Sequence, residues 1–424
     1  MRTRDSLSVL GVAVIIVCSI MLCPSTGQSA SKNSSIRLLF CGDIMPHKGV
    51  KRSAMASNRK GSKGKSLNYG GFYSTLRELK SLTKQADVSF CNLETPIVKP
   101  TKGDPYCFAT RGDFFFKAPP VFVDAIKWAG FSVLSIANNH IDNAGEAGII
   151  STIDYLNKKK ITVVGAGKTY AQAHSPAIVT VDGVKVAYLA YCSSRLGSNP
   201  NNKDGEKVHV CRVDPRDAST KVLFEDISYA KSVADIVVLS FHWGPNEYKF
   251  SPSPSAIKLA KECAERGVSV IAGHHPHVLQ KVEHYKCKDG RKSFIMWSLG
   301  NLVSNQSPKY CIDGSGKDEN PARRREGAAV LVTLKRAGAS GASKSRYDIA
   351  NVAFAPLWTD NNFHLYSKGL EEADVRVVAV DNEITRLQQR IIFLKERRKR
   401  VVLALQGKLE EYQEMQKSPK IASK

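Results

Sequence analysis

Short apolar runs recur along the chain, and five of them stop abruptly in a polar cluster. Leu38-Leu39-Phe40-Cys41 leads into Gly42-Asp43, and residues 87–91 into Asn92-Leu93-Glu94. Val133-Leu134-Ser135-Ile136-Ala137 leads into Asn138-Asn139-His140. Ile236–Phe241 precedes His242-Trp243-Gly244, and Val268–Ala272 precedes His274-His275-Pro276-His277. Runs of this length, rich in Val, Ile and Leu, predict strands buried on both faces. Further strands are expected at residues 161–164, 184–191, 293–298, 328–334 and 349–356. Between them the apolar positions change to helical spacing over residues 72–83, 121–129, 146–159 and 255–266, with Gly130 and Gly267 as stops. Alternating strands and helices predict an α/β fold, in which polar groups at the ends of neighbouring strands meet on one sheet edge.

Two segments break this rhythm. Residues 48–66 carry Lys48, Lys51, Arg52, Arg59, Lys60, Lys63 and Lys65 with no acid, and read as a basic loop. As a mobile arm beside the first motif it would bind an anionic polymer through Lys60, Lys63 and Lys65; otherwise it is a solvated surface loop. Residues 381–424 form a separate segment. There Ile384, Leu387, Ile391, Leu394, Val401 and Leu405 approximate a heptad seam, broken by Arg398. This predicts an amphipathic or coiled-coil helix that forms a homodimer, lies on an anionic membrane, or packs back on its own domain.

The chain has 424 residues and a formal net charge of +23, which favours polyanionic partners. Residues 1–30 read as an export signal or an uncleaved N-terminal anchor. A short basic start at Arg2 and Arg4 is followed by the apolar stretch Leu7–Leu22 and by small residues up to Ala30. The expected location is therefore periplasmic, extracellular or anchored at the cell surface, with residues 31–380 as the folded domain. Export permits disulfides. Cys41, Cys91 and Cys192 sit in apolar runs, as buried thiols would, although Cys192 with Cys211, and Cys287 with Cys311, are also bridge candidates. No CxxC spacing occurs, which argues against a zinc knuckle.

The motif residues suit metal chemistry. Two acids, Asp43 and Glu94, accompany three histidine motifs, a donor set that fits one or two divalent ions such as Mn, Fe or Zn without selecting among them. Gly42 lets the backbone turn ahead of Asp43. Asn139 offers a neutral oxygen, and His140 beside it is a candidate general acid. The Pro between His275 and His277 permits a turn that presents two imidazoles, while His274 orients a ligand ring. Asn92, Glu247 and Asn301 are further candidates for supporting the site or contacting substrate. Each feature alone has a plain structural reading: a turn carboxylate, an Asn-His turn, a satisfied core histidine.

In their order these motifs resemble the CapA family of poly-γ-glutamate capsule synthesis proteins. The residues that carry the resemblance are Cys41-Gly42-Asp43-Ile44-Met45, Asn92-Leu93-Glu94-Thr95-Pro96, Ala137–Asp142, Phe241–Gly244 with Glu247-Tyr248, Gly273–Gln280 and Trp297–Leu302. The family looks like a branch of the calcineurin-like metallophosphoesterases. The resemblance implies a four-layer β-sandwich flanked by helices. It further implies one ion on Asp43, Glu94 and His277, a second on Glu94, Asn139, His242 and His275, and His140 as acid. It points to synthesis, anchoring or processing of poly-γ-glutamate, with membrane-bound synthase subunits as partners and no specific nucleic acid. The alternatives are a non-catalytic polymer-binding scaffold and a phosphoesterase on small substrates. Two departures stand out: Met45 occupies the place of the histidine usual after the first Asp, with His47 two residues on, and Glu94 replaces the usual bridging Asp.

Overall fold

A computed structural model describes residues 35–61, 71–108, 115–193, 208–244, 247–308, 320–337, 347–369, 371–381, 391–405 and 413–414. Seventeen strands lie among them. The first sheet contains β1 (Ser35–Ile44), β2 (Val88–Leu93), β3 (Val133–Ser135) and β4 (Thr162–Val164). The pair β5 (Ala166–Gly167) and β8 (His209–Val210) stands apart as a small ladder. The second sheet contains β6 (Ala177–Val181), β7 (Val184–Cys192), β9 (Ile236–His242), β10 (Val270–His274), β11 (Val282–Lys286) and β12 (Lys292–Met296). The chain then returns to the first sheet with β13 (Asn301–Val303), β14 (Glu326–Arg336), β15 (Tyr347–Asn361), β16 (Val375–Ala379) and β17 (Gln413–Glu414).

Strand order is β16-β15-β14-β1-β2-β3-β4 in the first sheet and β11-β12-β10-β9-β7-β6 in the second. In addition, β13 pairs with the end of β1, and β17 with β15. The motif-bearing strands run parallel to their neighbours: β1 to β2, β2 to β3, and β9 to β10. All five motifs therefore emerge at carboxyl ends, where an open parallel sheet leaves a crevice.

Alternation along β7 shows how the layers stack. Val184, Val186, Tyr188, Ala190 and Cys192 join the core between the sheets. Ala187, Leu189 and Tyr191 face the opposite way, under helices Ser219–Val233 and Pro254–Arg266. The first sheet is covered by helices Phe72–Leu76, Leu79–Thr83, Pro120–Trp128 and Gly145–Lys158, whose Phe72, Phe122, Ile149 and Leu156 are fully buried. The fold is thus α/β in four layers, helix–sheet–sheet–helix.

Several local expectations change. Lys48–Gly61 is a helix, not a loop, because Val50, Ser53 and Ala54 line one face and are buried. Lys51 lies on that buried side and donates from Nζ to the Cys107 carbonyl at 2.6 Å. Lys60 falls in the last turn of this helix, while Lys63 and Lys65 lie outside the described residues. A further helix, Ser219–Val233, buries Leu223, Ile227 and Ala230. Cys192 and Cys211 are unbridged. Their backbones hydrogen-bond at 2.9 Å, but Cys192 belongs to the core between the sheets and Cys211 to the cluster on the opposite face. Cys287 is likewise a free, buried thiol, and Cys311 lies outside the described residues.

Of the C-terminal segment, helix Ile391–Leu405 is described and residues 382–390 are not. Its Val401, Val402 and Leu405 are buried in the main core, and Arg397 donates to Glu326 Oε1 on β14 at 3.2 Å. Those apolar positions therefore face their own chain rather than a dimer partner or a bilayer. Among the described residues no helix is long and apolar enough to cross a membrane. Residues 1–34 lie outside them.

Candidate metal centre

Close backbone approach builds the floor of the site. Asp43 pairs with Asn92 on β2 and with Asn301 on β13, and its N–H donates to the Gly300 carbonyl at 3.0 Å. A Cβ on Gly42 would sit 2.0 Å from that same carbonyl oxygen. Glycine is required here by proximity, since Gly42 is not among the residues of positive φ. Gly273 answers the same need on the other sheet, where a Cβ would lie 2.0 Å from the Trp297 carbonyl oxygen.

Asp43 is the hub. Its Oδ1 accepts from Asn92 Nδ2 at 2.9 Å and from His274 Nδ1 at 3.0 Å. Its Oδ2 accepts from the His275 backbone N–H at 3.1 Å and lies 3.2 Å from His277 Nδ1. His275 and His277 are non-glycine residues in the left-handed region, with φ of 90° and 54°. Such conformations cost about 1–3 kcal/mol each and persist only where surrounding contacts hold them. The Asp43 contacts supply that hold, and the turn around Pro276 sends both imidazoles inward.

Glu94, fully buried, faces Asp43 across the crevice. Its Oε1 lies 3.4 Å from His242 Nε2, 3.6 Å from His277 Nε2 and 4.0 Å from His140 Nε2. His242 Nε2 also donates to Asn139 Oδ1 at 2.7 Å, while its Nδ1 accepts from Asn92 Nδ2 at 3.3 Å. Two groups of close donor atoms result: Glu94 with His275 and His277, and Asp43 with Glu94 and His242. Glu94 is common to both. The histidines are thus grouped differently from the sets implied by the resemblance, within one shared space. Met45 adds no ligand. Nor does His47 join either group; its Nδ1 sits against the Met45 carbonyl and the Asn305 N–H, and its ring packs on Phe116.

The histidine tautomers follow from their partners. Asn301 Nδ2 donates to the carbonyls of His277 and Arg324 and to Gln306, which leaves Asn301 Oδ1 as the acceptor for His277 Nδ1. The lone pair of His277 Nε2 then faces Glu94, the orientation of a metal-binding imidazole backed by a second residue. Likewise, Asn143 Oδ1 accepts from the Phe116 N–H at 2.8 Å and from His140 Nδ1 at 3.0 Å. His140 Nε2 therefore carries a lone pair. As it stands it takes a proton, so it serves as an acid only after it has been charged. Asn138, the head of the third motif, donates to Asn92 Oδ1 and the Leu93 carbonyl, whereas Asn143 stands outside the five motifs. Asn143 lies three residues after His140, the only hint of its role. Glu247 is exposed at the rim.

Electrostatically the pocket is unbalanced. Burial alone would raise the Asp43 carboxyl, but hydrogen bonds from His274 and His277 outweigh it and hold the pKa well below the usual range. Burial, and then repulsion from Asp43 and Glu247, push Glu94 well above its ordinary value. Burial likewise lowers His140 to about 4 and His275 to about 3. Glu94 Oε1 and His275 Nδ1 are buried and have no hydrogen-bond partner among the described residues. Buried polar atoms are rarely left so. An orphaned carboxylate oxygen and an orphaned neutral imidazole nitrogen, on two residues of one donor group, fit a divalent cation, which would also remove the penalty on ionised Glu94.

Comparison with known proteins accords with this geometry. A family model described as bacterial capsule synthesis protein PGA_cap matches residues 37–306, which contain every motif of the site. The capsule biosynthesis protein CapA of Bacillus anthracis is 32% identical over 302 residues, 70% of this chain and 67% of that one. The PGA biosynthesis protein CapA of Bacillus subtilis is 31% identical over 242 residues, 56% of each. The match thus spans between about half and two thirds of these relatives. A phosphatase from Mycoplasma pneumoniae overlays 80% of this chain at 15% identity and a TM-score of 0.43, too low to carry weight. The extent of the family match and the identity to the Bacillus anthracis protein show that this chain belongs to the bacterial capsule synthesis (PGA_cap) family.

Proposed function

We propose that this chain is an exported, metal-dependent hydrolase or transferase that acts on poly-γ-glutamate at the cell surface. The observation that carries the reading is Glu94: a fully buried carboxylate, unpartnered at Oε1, shared by two groups of histidine and carboxylate donors. Family membership supports the polymer, and the net charge of +23 suits a polyanion. Glu94, His275 and His277 would hold one ion, and His242 and Asn139 would join a second only by exchanging their mutual hydrogen bond for the metal. Asp43 orients the His274 and His277 rings and becomes a ligand only by giving up a hydrogen bond. Divalent ions bound there supply Lewis-acid activation of a substrate oxygen and of water. His140 Nε2, held by Asn143, takes the proton released when the nucleophile forms and returns it to the departing group.

The test is elemental analysis of the full chain beside Glu94→Gln, together with chain-length analysis of poly-γ-glutamate incubated with each. Wild type is expected to hold one or two divalent ions and to shorten or transfer the polymer; Glu94→Gln is expected to do neither. Polymer bound without any change in length would leave a scaffold. Turnover of a simple phosphodiester but not the polymer would make the protein a phosphoesterase.

A further inference from the structure

Beside the metal centre, two consecutive arginines each lie over an aromatic ring. The Arg324 guanidinium carbon sits 3.8 Å from the Tyr248 ring centroid, and that of Arg323 4.3 Å from the Phe250 centroid. Tyr248 is tied to the centre: its N–H donates to the Pro276 carbonyl at 2.8 Å, and its ring lies 6.1 Å from that of His277. Arg324 is tied there too, through its carbonyl, which accepts from Asn301 Nδ2 at 2.7 Å. Arg323 helps to line a cleft of about 380 Å³ together with Phe250, Lys281 and Leu403. Phe250 and Leu403 are both exposed. Lys281 already sits near Glu283 at 3.9 Å, but no carboxylate among the described residues lies within ion-pair distance of Arg323 or Arg324.

A guanidinium stacked on a ring keeps its in-plane N–H groups for a carboxylate, and the ring fixes the direction of that fork. Two such forks in succession, leading from a reaction centre into an open cleft, match a chain with one free carboxylate per repeat. We propose that Arg324 and Arg323 form a polymer track. Arg324 takes the α-carboxylate of the γ-glutamyl unit nearest the metal centre, and Arg323 that of the next unit along the cleft. This inference rests on the proposed action on poly-γ-glutamate and adds which residues set the register.

The experiment measures binding of fluorescently labelled poly-γ-glutamate to the full-length protein by anisotropy, at low and high salt. Arg323→Gln and Arg324→Gln are each expected to weaken binding about ten-fold, the double variant more, with a flatter salt dependence and unchanged metal content. Equal affinity in the folded double variant overturns the track. No binding by wild type sinks the functional reading itself, whereas Glu94→Gln that loses metal yet binds polymer leaves the track intact. Should the glutamine variants fail to fold, Arg323→Lys and Arg324→Lys keep the charge and lose the fork. Weakened binding in those variants supports the track, and wild-type affinity overturns it.

Discussion

Gly42→Ala tests the link between backbone packing and the metal centre. The added methyl carbon would lie 2.0 Å from the Gly300 carbonyl oxygen, 2.8 Å from its carbon and 2.9 Å from the Leu299 oxygen. All three are backbone atoms, so no side chain can swing aside. Restoring ordinary contact requires β1 and β13 to part by about 1 Å, which breaks the bond from the Asp43 N–H to Gly300. Overpacking of this kind costs about 1–3 kcal/mol, and the hydrogen bond adds about 1 kcal/mol. The expected loss is therefore about 2–4 kcal/mol in urea unfolding. Asp43 moves with its strand, and through it His274, His275 and His277, so metal affinity is expected to fall about 10–100-fold, as when an orienting residue is removed. Gly103→Ala is the control, because a Cβ there meets nothing within 4 Å. A Gly42→Ala protein that matches Gly103→Ala in both unfolding and metal titration would refute the argument.

Other outcomes follow from single contacts. Asn143→Ala frees the His140 ring and should cut polymer turnover about ten-fold or more while leaving metal content as in wild type; unchanged turnover would remove Asn143 from the mechanism. Arg397→Met leaves Glu326 buried without its partner, and should cost about 2–4 kcal/mol in thermal or urea unfolding, with much of the loss recovered in Arg397→Met/Glu326→Gln. A Tm within a degree of wild type would show that the helix Ile391–Leu405 is not held there. Burial lowers the Lys51 amine from 10.5 to about 8. The unfolded chain then binds the extra proton between those values, so this group makes stability rise with pH across that window, by at most about 3 kcal/mol. Lys51→Met should flatten that rise; parallel pH profiles of urea midpoints for the two proteins would contradict it.

What the chain reveals alone is largely what local physics controls. Apolar runs of strand length ending in Asp43, Asn92, Asn139, His242 and His274 are legible because a buried parallel strand must be apolar throughout and can carry polar chemistry only at its end. Helices with a clean stop, such as Pro254–Arg266 before Gly267, are legible for the same local reason. The basic segment 48–61 misleads because charge suggests a loop, whereas Val50, Ser53 and Ala54 bury one face and Lys51 finds a carbonyl 56 residues away.

Tertiary structure alone decides the division of labour inside the site. Asp43 meets His274 across 231 residues of sequence, and Asn92 meets His242 across 150. Which imidazole nitrogen keeps a lone pair is fixed by Asn301 and Asn143, whose amides are themselves fixed by further backbone groups. The opposite facing of Cys192 and Cys211 is set by the pleat of a strand within two packed sheets, and the stacked pair Arg324 and Tyr248 by the return of the chain past Pro276. Residue types and spacing limit which atoms are offered to the crevice. Their orientation depends on hydrogen bonds between strands far apart in the chain, and these exist only once both sheets have closed over one core.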